Sequence, residues 1–120
     1  VHAVAKEQVP DSHIEFLCGL ATSYETDELL FVHAGIVPGV PLCEQRDNDL
    51  IWIRGPFLND ERPHPWLVVH GHTPVKAAEH QGNRVNLDSG AGYGRPLSVA
   101  RFDGTECTLL TESGPVPLLR

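Results

Sequence analysis

Methionine is absent from all 120 residues of the chain, which begins with Val1. Since translation normally starts at methionine, we expect a processed chain or a fragment of a longer protein. Cysteine is scarce as well, because the chain has only three, Cys18, Cys43 and Cys107, and they lie far apart. This odd number and wide spacing form neither a zinc motif nor a disulfide framework, which is typical of a reducing compartment.

Basic residues are few, with 9 Lys and Arg against 16 Asp and Glu, and the formal net charge is −7. A surface of this charge offers no electrostatic attraction to nucleic acid or to an anionic membrane. No apolar run approaches the roughly 18 residues that a membrane-spanning helix needs, and the start shows no signal-peptide pattern. We therefore predict a cytoplasmic protein that binds neither nucleic acid nor membranes.

Several catalytic motifs are missing too. The Gly-x-Ser-x-Gly motif, which marks the nucleophile of serine hydrolases on α/β folds, does not occur. The chain has no Walker sequence, and no Gly-x-Gly-x-x-Gly connects a strand to a helix. These absences argue against a serine nucleophile and against the common nucleotide-binding loops.

A helix is predicted in residues 11–24, where apolar residues recur at intervals of three and four. Ser12 can serve as the N-cap, and Glu15 three residues later completes a capping box. Cys18 falls on the apolar stripe of this helix, so we expect it in the core.

Strands dominate the rest of the chain. Residues 29–33 and 66–71 are apolar runs that end at glycine or proline turns, which is typical of buried strands. Three shorter runs, 83–88, 96–102 and 106–112, follow closely and predict an antiparallel meander. The pattern therefore indicates a layered α/β domain.

Both apolar strands end in histidine followed by a small residue, as "LLFVHAG" and "LVVHGH". Loops at strand ends are where α/β folds place ligand sites. Neutral imidazole is a ligand of zinc, manganese and iron. His33 and His70 could equally be hydrogen-bonded core residues, and the sequence pattern leaves the two interpretations about evenly matched.

Three further residues could contribute to a site. Arg54, between Trp52 and Phe57, could stack on a ring at the core edge or clamp a phosphate or carboxylate. Tyr93 lies in a glycine-rich loop that could bring its phenol towards an anion or could be a plain turn. Asp88 could be a ligand, but it is more simply explained as a turn residue.

Four stretches in this order resemble one family: "LLFVHAGIVPGVPLCEQ", "DLIWIRGPFL", "HPWLVVHGHTPV" and "NRVNLDSGAGYGRPLSV". They are similar to the C-terminal half of bacterial serine/threonine protein phosphatases, which are calcineurin-like metallophosphoesterases. The resemblance implies that residues 1–120 are the C-terminal part of one such domain. It also implies the fold, α/β, as half of a four-layer α-β-β-α sandwich.

The resemblance further implies roles for individual residues. His33 and His72 match two histidine ligands of one of the two divalent metal ions (manganese, iron or zinc), and His70 would be only a neighbour. Arg54 matches an arginine that holds the substrate phosphoryl group, and Tyr93 matches a tyrosine near the phosphate. The complete enzyme would remove phosphate from phosphoserine or phosphothreonine by attack of a metal-activated water.

Pro74 and the missing N-terminal signatures refine this interpretation. Phosphodiesterase-like relatives read Gly-His-Thr-His, so Pro74 favours the protein-phosphatase branch over them. The alternative, a symmetrical diadenosine tetraphosphate hydrolase, is similar in the "HAGI" element but usually lacks "GHTP", so it ranks second. The family signatures Gly-Asp-x-His-Gly, Gly-Asp-x-x-Asp-Arg-Gly and Gly-Asn-His-Glu are absent from this sequence. We therefore expect a fragment that is inactive and poorly stable by itself, with a non-catalytic interaction module as the remaining alternative.

Overall fold

The computed structural model describes residues 8–120, which form short helices and eight strands. Within this range no helix is long and apolar enough to cross a membrane. The helices are α1 (Asp11–Cys18), α2 (Asp47–Trp52) and α3 (Gly55–Leu58), with 3-10 turns at Leu42–Glu44 and Ala91–Tyr93. The strands are β1 (Ser23–Glu25), β2 (Leu29–Val32), β3 (Leu67–His70), β4 (Glu79–His80), β5 (Arg84–Asn86), β6 (Ala100–Asp103), β7 (Glu106–Thr111) and β8 (Gly114–Pro117).

The larger sheet has five strands in the order β1-β2-β3-β5-β4. Strands β2, β3 and β5 are parallel, with Phe31 opposite Val69 and Val69 opposite Val85. The edge strands β1 and β4 pair antiparallel with their neighbours. Central parallel strands are covered on both faces, which explains the apolar runs of β2 and β3. Their carboxyl ends, and that of β5, therefore lie along one edge of the sheet.

The two faces of the large sheet bury separate apolar clusters. On one face, Leu30 and Val68 pack with Leu50 of α2 and with Phe57 of α3. On the other, Val85 and its neighbours pack with Cys107 of the second sheet, which has the order β6-β7-β8. The layers are thus helices, sheet and sheet, which confirms the α/β class and gives three layers of the expected sandwich within the described residues.

Helix α1 differs from its prediction. It begins at Asp11 after Pro10, ends at Cys18, and has no side-chain hydrogen bond at its N-terminus, so the Ser12 capping box is not formed. No residue of α1 is buried, and Cys18 is exposed. The expectation that Cys18 is a core residue is wrong here, because no described element covers the apolar stripe.

The predicted meander is only partly correct. Residues 84–86 form β5 of the large sheet, where all three are buried, whereas β6 and β7 pair antiparallel as expected. The third strand of the small sheet is β8, which contains Pro115 and Pro117. Proline is tolerated on an edge strand because one side of such a strand needs no ladder hydrogen bonds.

Candidate metal and phosphate site

His33 and His72, predicted from distant parts of the sequence, lie side by side. His33 follows β2 directly, and His72 is two residues beyond the end of β3. The backbone N–H of Gly71 donates to the carbonyl of His33 at 2.9 Å, which ties the two loops together. As a result, Nε2 of His33 is 3.2 Å from Nδ1 of His72, and the ring centroids are 5.0 Å apart.

A tight turn after β3 places the His72 ring. His72 has a left-handed φ of 66°, and the N–H of Thr73 donates to the carbonyl of Gly71 at 2.7 Å. A left-handed conformation is unfavourable for a residue with a Cβ, and such strain clusters at functional sites. Gly71 also packs closely on Asp88, because a Cβ at residue 71 would lie 3.2 Å from Cβ of Asp88.

The surroundings of His72 favour its neutral form. The pKa of His72 is lowered by burial, then by the positive charge of Arg54 and by His33, while the carboxylate of Asp88 opposes this shift. The ring of Trp52 packs edge-to-face on His72 with centroids 5.4 Å apart. Neutral imidazole is the form that binds metals, so His72 has a nitrogen available at neutral pH.

The two histidines fit one divalent ion as ligands, but they do not make a complete site. Two metal–nitrogen bonds of about 2.1 Å at angles between octahedral and tetrahedral place the nitrogens roughly 3.0–3.4 Å apart. The observed 3.2 Å lies in this range. Within residues 8–120, no group of three or more His, Cys, Asp or Glu is placed to hold a metal ion. The remaining protein ligands of such an ion would have to come from outside residues 8–120.

Arg54 is the cation of this region. It precedes α3, its side chain is exposed, and among the described residues it forms no ion pair. Its charge is close enough to lower the pKa of His72. An unpaired guanidinium whose charge acts on His72 is suited to binding an anion with several oxygens, such as phosphate.

His70 is separate from this pair. It is 4% exposed, its ring lies edge-on to Phe57 at 5.0 Å, and burial lowers its pKa to about 4. Its Nδ1 is 3.2 Å from the carbonyl oxygen of Gly71. Because a carbonyl oxygen can only accept a hydrogen bond, Nδ1 is the nitrogen that carries the proton of the neutral ring. The His70 ring is therefore packed in the core against Phe57, apart from the contact between His33 and His72.

The structure does not bring Tyr93 to the histidines. Tyr93 ends a 3-10 turn between Gly90 and Gly94, both in left-handed conformations, and its side chain is 77% exposed. Among the described residues its hydroxyl makes no hydrogen bond and its ring makes no aromatic contact with His33 or His72. Its role near a phosphate stays a prediction.

Sequence reasoning underrated two residues of this region, Asp88 and Trp52. Asp88 does make the expected turn, accepting the N–H of Gly90 at 3.0 Å, but it also lies close enough to raise the pKa of His72. The sequence analysis placed residues 83–88 in an antiparallel meander, and only the parallel pairing of β5 with β3 brings Asp88 to the same sheet edge. For Trp52 the signal was its position two residues before Arg54.

Comparisons with known proteins find relatives that match over only part of their length. No protein-family model matches the chain. The asymmetrical bis(5'-nucleosyl)-tetraphosphatase PrpE of Bacillus subtilis is 30% identical over 102 aligned residues, which cover 73% of this chain and 42% of that protein. Its counterpart from Anoxybacillus flavithermus is 37% identical over 49 residues, which cover 41% of this chain and 20% of that protein. A crystal structure of a candidate diadenosine tetraphosphatase superimposes with a TM-score of 0.63 at 19% identity, covering 98% of this chain and 60% of that one.

The chain is similar to dinucleoside tetraphosphatases. Its fold is shared with a solved protein of that description, and it spans less than half the length of the curated relatives that it matches. These relatives are hydrolases named for a dinucleotide substrate, so they agree with the alternative substrate class rather than with the protein-phosphatase branch. The preference for the protein-phosphatase branch therefore receives no support.

Proposed function

We propose that residues 1–120 are the C-terminal part of a metal-dependent hydrolase of dinucleoside tetraphosphates. One observation carries this proposal: His33 and His72 approach to 3.2 Å at the carboxyl edge of the parallel strands, where the charge of Arg54 also acts on His72. The similarity to tetraphosphatases supplies the substrate class, because a tetraphosphate bridge is the anion those relatives are named for.

The proposed roles of His33, His72 and Arg54 follow from their side-chain chemistry. His33 and His72 would hold one divalent ion, and manganese, iron and zinc all accept imidazole ligands. Such ions, when bound, neutralise phosphate charge and lower the pKa of a coordinated water. Arg54 would bind phosphoryl oxygens through charge-assisted hydrogen bonds that strengthen as negative charge develops. Trp52 packs against the His72 ring and restricts its orientation.

The proposed position of cleavage follows the asymmetrical relatives rather than the symmetrical hydrolase that was the alternative from sequence. Asymmetrical hydrolysis of a tetraphosphate bridge yields a nucleoside triphosphate and a nucleoside monophosphate, whereas symmetrical hydrolysis yields two diphosphates. We propose the asymmetrical outcome because the matched proteins are named for it. The products of diadenosine tetraphosphate cleavage distinguish the two directly.

The test compares substrates on the protein encoded by the whole gene and on the chain of residues 1–120 alone. Each is incubated with Mn²⁺ and diadenosine tetraphosphate, p-nitrophenyl phosphate or a phosphoserine peptide, and products are separated by anion-exchange chromatography. We expect the whole protein to release ATP and AMP, with a loss of roughly 100-fold or more in His72→Ala and Arg54→Ala. The chain alone should be inactive, because it provides only two imidazole ligands.

His80→Ala is the matched control. His80 lies on edge strand β4 and lines a different cavity, together with Trp66, Gln81 and Asn83. This variant should keep full activity. Faster hydrolysis of the phosphopeptide than of the dinucleotide would contradict the proposed substrate class. Wild-type activity in His72→Ala would contradict the assignment of the site itself.

A further inference from the structure

Trp52 is a large apolar side chain left open beside the candidate phosphate site. Its ring is 63% exposed although it packs edge-to-face on His72, and it is two residues from Arg54. Among the described residues, its indole N–H makes no hydrogen bond. We propose that Trp52 is a stacking platform for the purine base of the nucleotide whose phosphate Arg54 binds. This inference rests on the proposed dinucleotide substrate and assigns the residue that recognises its base.

The backbone holds Trp52 in a fixed place relative to the histidines. Trp52 ends α2, where Leu50 is buried in the core and its carbonyl accepts the N–H of Ala34 at 2.8 Å. Ala34 directly follows His33, so the end of α2 is tied to the loop that carries this histidine. The next residue, Ile53, packs against the same core cluster. A ring held this way loses little conformational entropy when a ligand stacks on it.

A purely structural role explains less of what is observed. Trp66, the other tryptophan, is half-buried and packs against the core, as an indole used for stability does. Trp52 has most of its surface in solvent, and its contact with His72 uses only part of the ring. Exposed indole next to a cation matches the two halves of a nucleotide, since the base stacks on the ring and the phosphate pairs with the guanidinium.

The ligands for the test are AMP and ribose 5-phosphate, which share the phosphate but differ in the base. Their dissociation constants are measured by isothermal titration with Mn²⁺ present, on the wild-type protein and on Trp52→Ala, Trp52→Phe and Trp66→Phe. We expect AMP to bind the wild type roughly 5- to 100-fold more tightly than ribose 5-phosphate, which is the usual contribution of stacking on an aromatic side chain. In Trp66→Phe, AMP should also quench the fluorescence of the remaining indole.

Trp52→Ala should remove the preference for AMP by weakening AMP binding far more than ribose 5-phosphate binding, and Trp52→Phe should keep much of the preference. Equal binding of the two ligands by the wild type would overturn the proposal, as would an equal loss of both affinities in Trp52→Ala. In either case the phosphate site would stand. If neither ligand binds the wild type, the phosphate site fails and the stacking proposal falls with it.

Discussion

Acidification should destabilise the fold through His70. This side chain is 4% exposed and lies against Phe57, and its Nε2 has no hydrogen-bond partner among the described residues. Burial lowers its pKa to about 4, the charge of Arg84 acts in the same direction, and the hydrogen bond to the Gly71 carbonyl opposes them. The folded protein therefore resists protonation of His70 in a pH range where the unfolded chain takes up the proton.

The sign and size of the effect follow from proton linkage. The ordinary pKa of 6.5 applies to the unfolded chain, and the folded value of about 4 lies below it. Stability from this residue is therefore fully present above pH 6.5 and is lost as the pH falls towards 4. The loss in the free energy of unfolding is about 2 kcal/mol between pH 7.5 and pH 5 and about 3 kcal/mol by pH 4.

The assay is urea denaturation followed by circular dichroism at pH 7.5 and pH 5, on the wild type and on His70→Leu. The leucine variant cannot titrate at this position, so it should lose about 2 kcal/mol less than the wild type over this range. A smaller decline should remain, because burial also lowers the pKa of His64 and of His80. His13→Gln, on the exposed helix α1, is the control for removing a histidine outside the core.

The same decline with pH in His70→Leu and in the wild type would refute this reasoning. A second measurement avoids dependence on the variant, since the imidazole carbon resonances of His70 can be followed by NMR. They should show a neutral ring at pH 5.5. A protonated His70 at that pH would mean that burial does not control the residue as argued.

Two further predictions concern the metal ligands and a glycine beside them. His33→Ala and His72→Ala should each weaken Zn²⁺ binding to the chain by more than roughly 10-fold in isothermal titration, because one imidazole alone makes a poor site; unchanged affinity in either variant would exclude that residue as a ligand. Gly35→Ala should lower the free energy of unfolding by roughly 3 kcal/mol or more, since its φ is 152° and the added Cβ would lie 2.2 Å from Cδ1 of Phe57. Gly39→Ala is its control, with a φ of 80° and open space around the new Cβ, and should cost only about 1 kcal/mol by urea denaturation; equal losses would contradict the packing argument.

The pairing of His33 with His72 was predicted from the family resemblance, because the strand pattern by itself singled out His33 and His70. Two apolar runs that each end in a histidine indicate central strands, and parallel neighbours bring their carboxyl ends to one edge. The hydrogen bond from Gly71 to the His33 carbonyl is a consequence of this pairing. The role of Arg54 was also predicted from the resemblance, and the structure adds that the helix carrying Trp52 is tied to the loop after β2.

Other features depend on information that a local pattern does not contain. The stripe that includes Cys18 shows that one face of α1 is apolar, but not which element covers it. Alternation in residues 83–88 indicates a strand and is equally compatible with either sheet. The position of Tyr93 depends on the left-handed conformations of Gly90 and Gly94, and glycine adopts several backbone conformations with similar ease.

The sequence does not decide the substrate class, for a chemical reason. His33, His72 and Arg54 are suited to metal and phosphoryl oxygens, which a phosphoprotein and a dinucleoside tetraphosphate both present. Residues of this kind cannot discriminate between the two substrates. Pro74 is exposed beyond the turn that places His72, in a segment fixed by the hydrogen bond from Asn86 Nδ2 to the Thr73 carbonyl at 2.9 Å. Pro74 therefore reflects the backbone geometry of this segment. Discrimination between the two substrates has to come from a group that contacts the rest of the substrate, as we propose for Trp52.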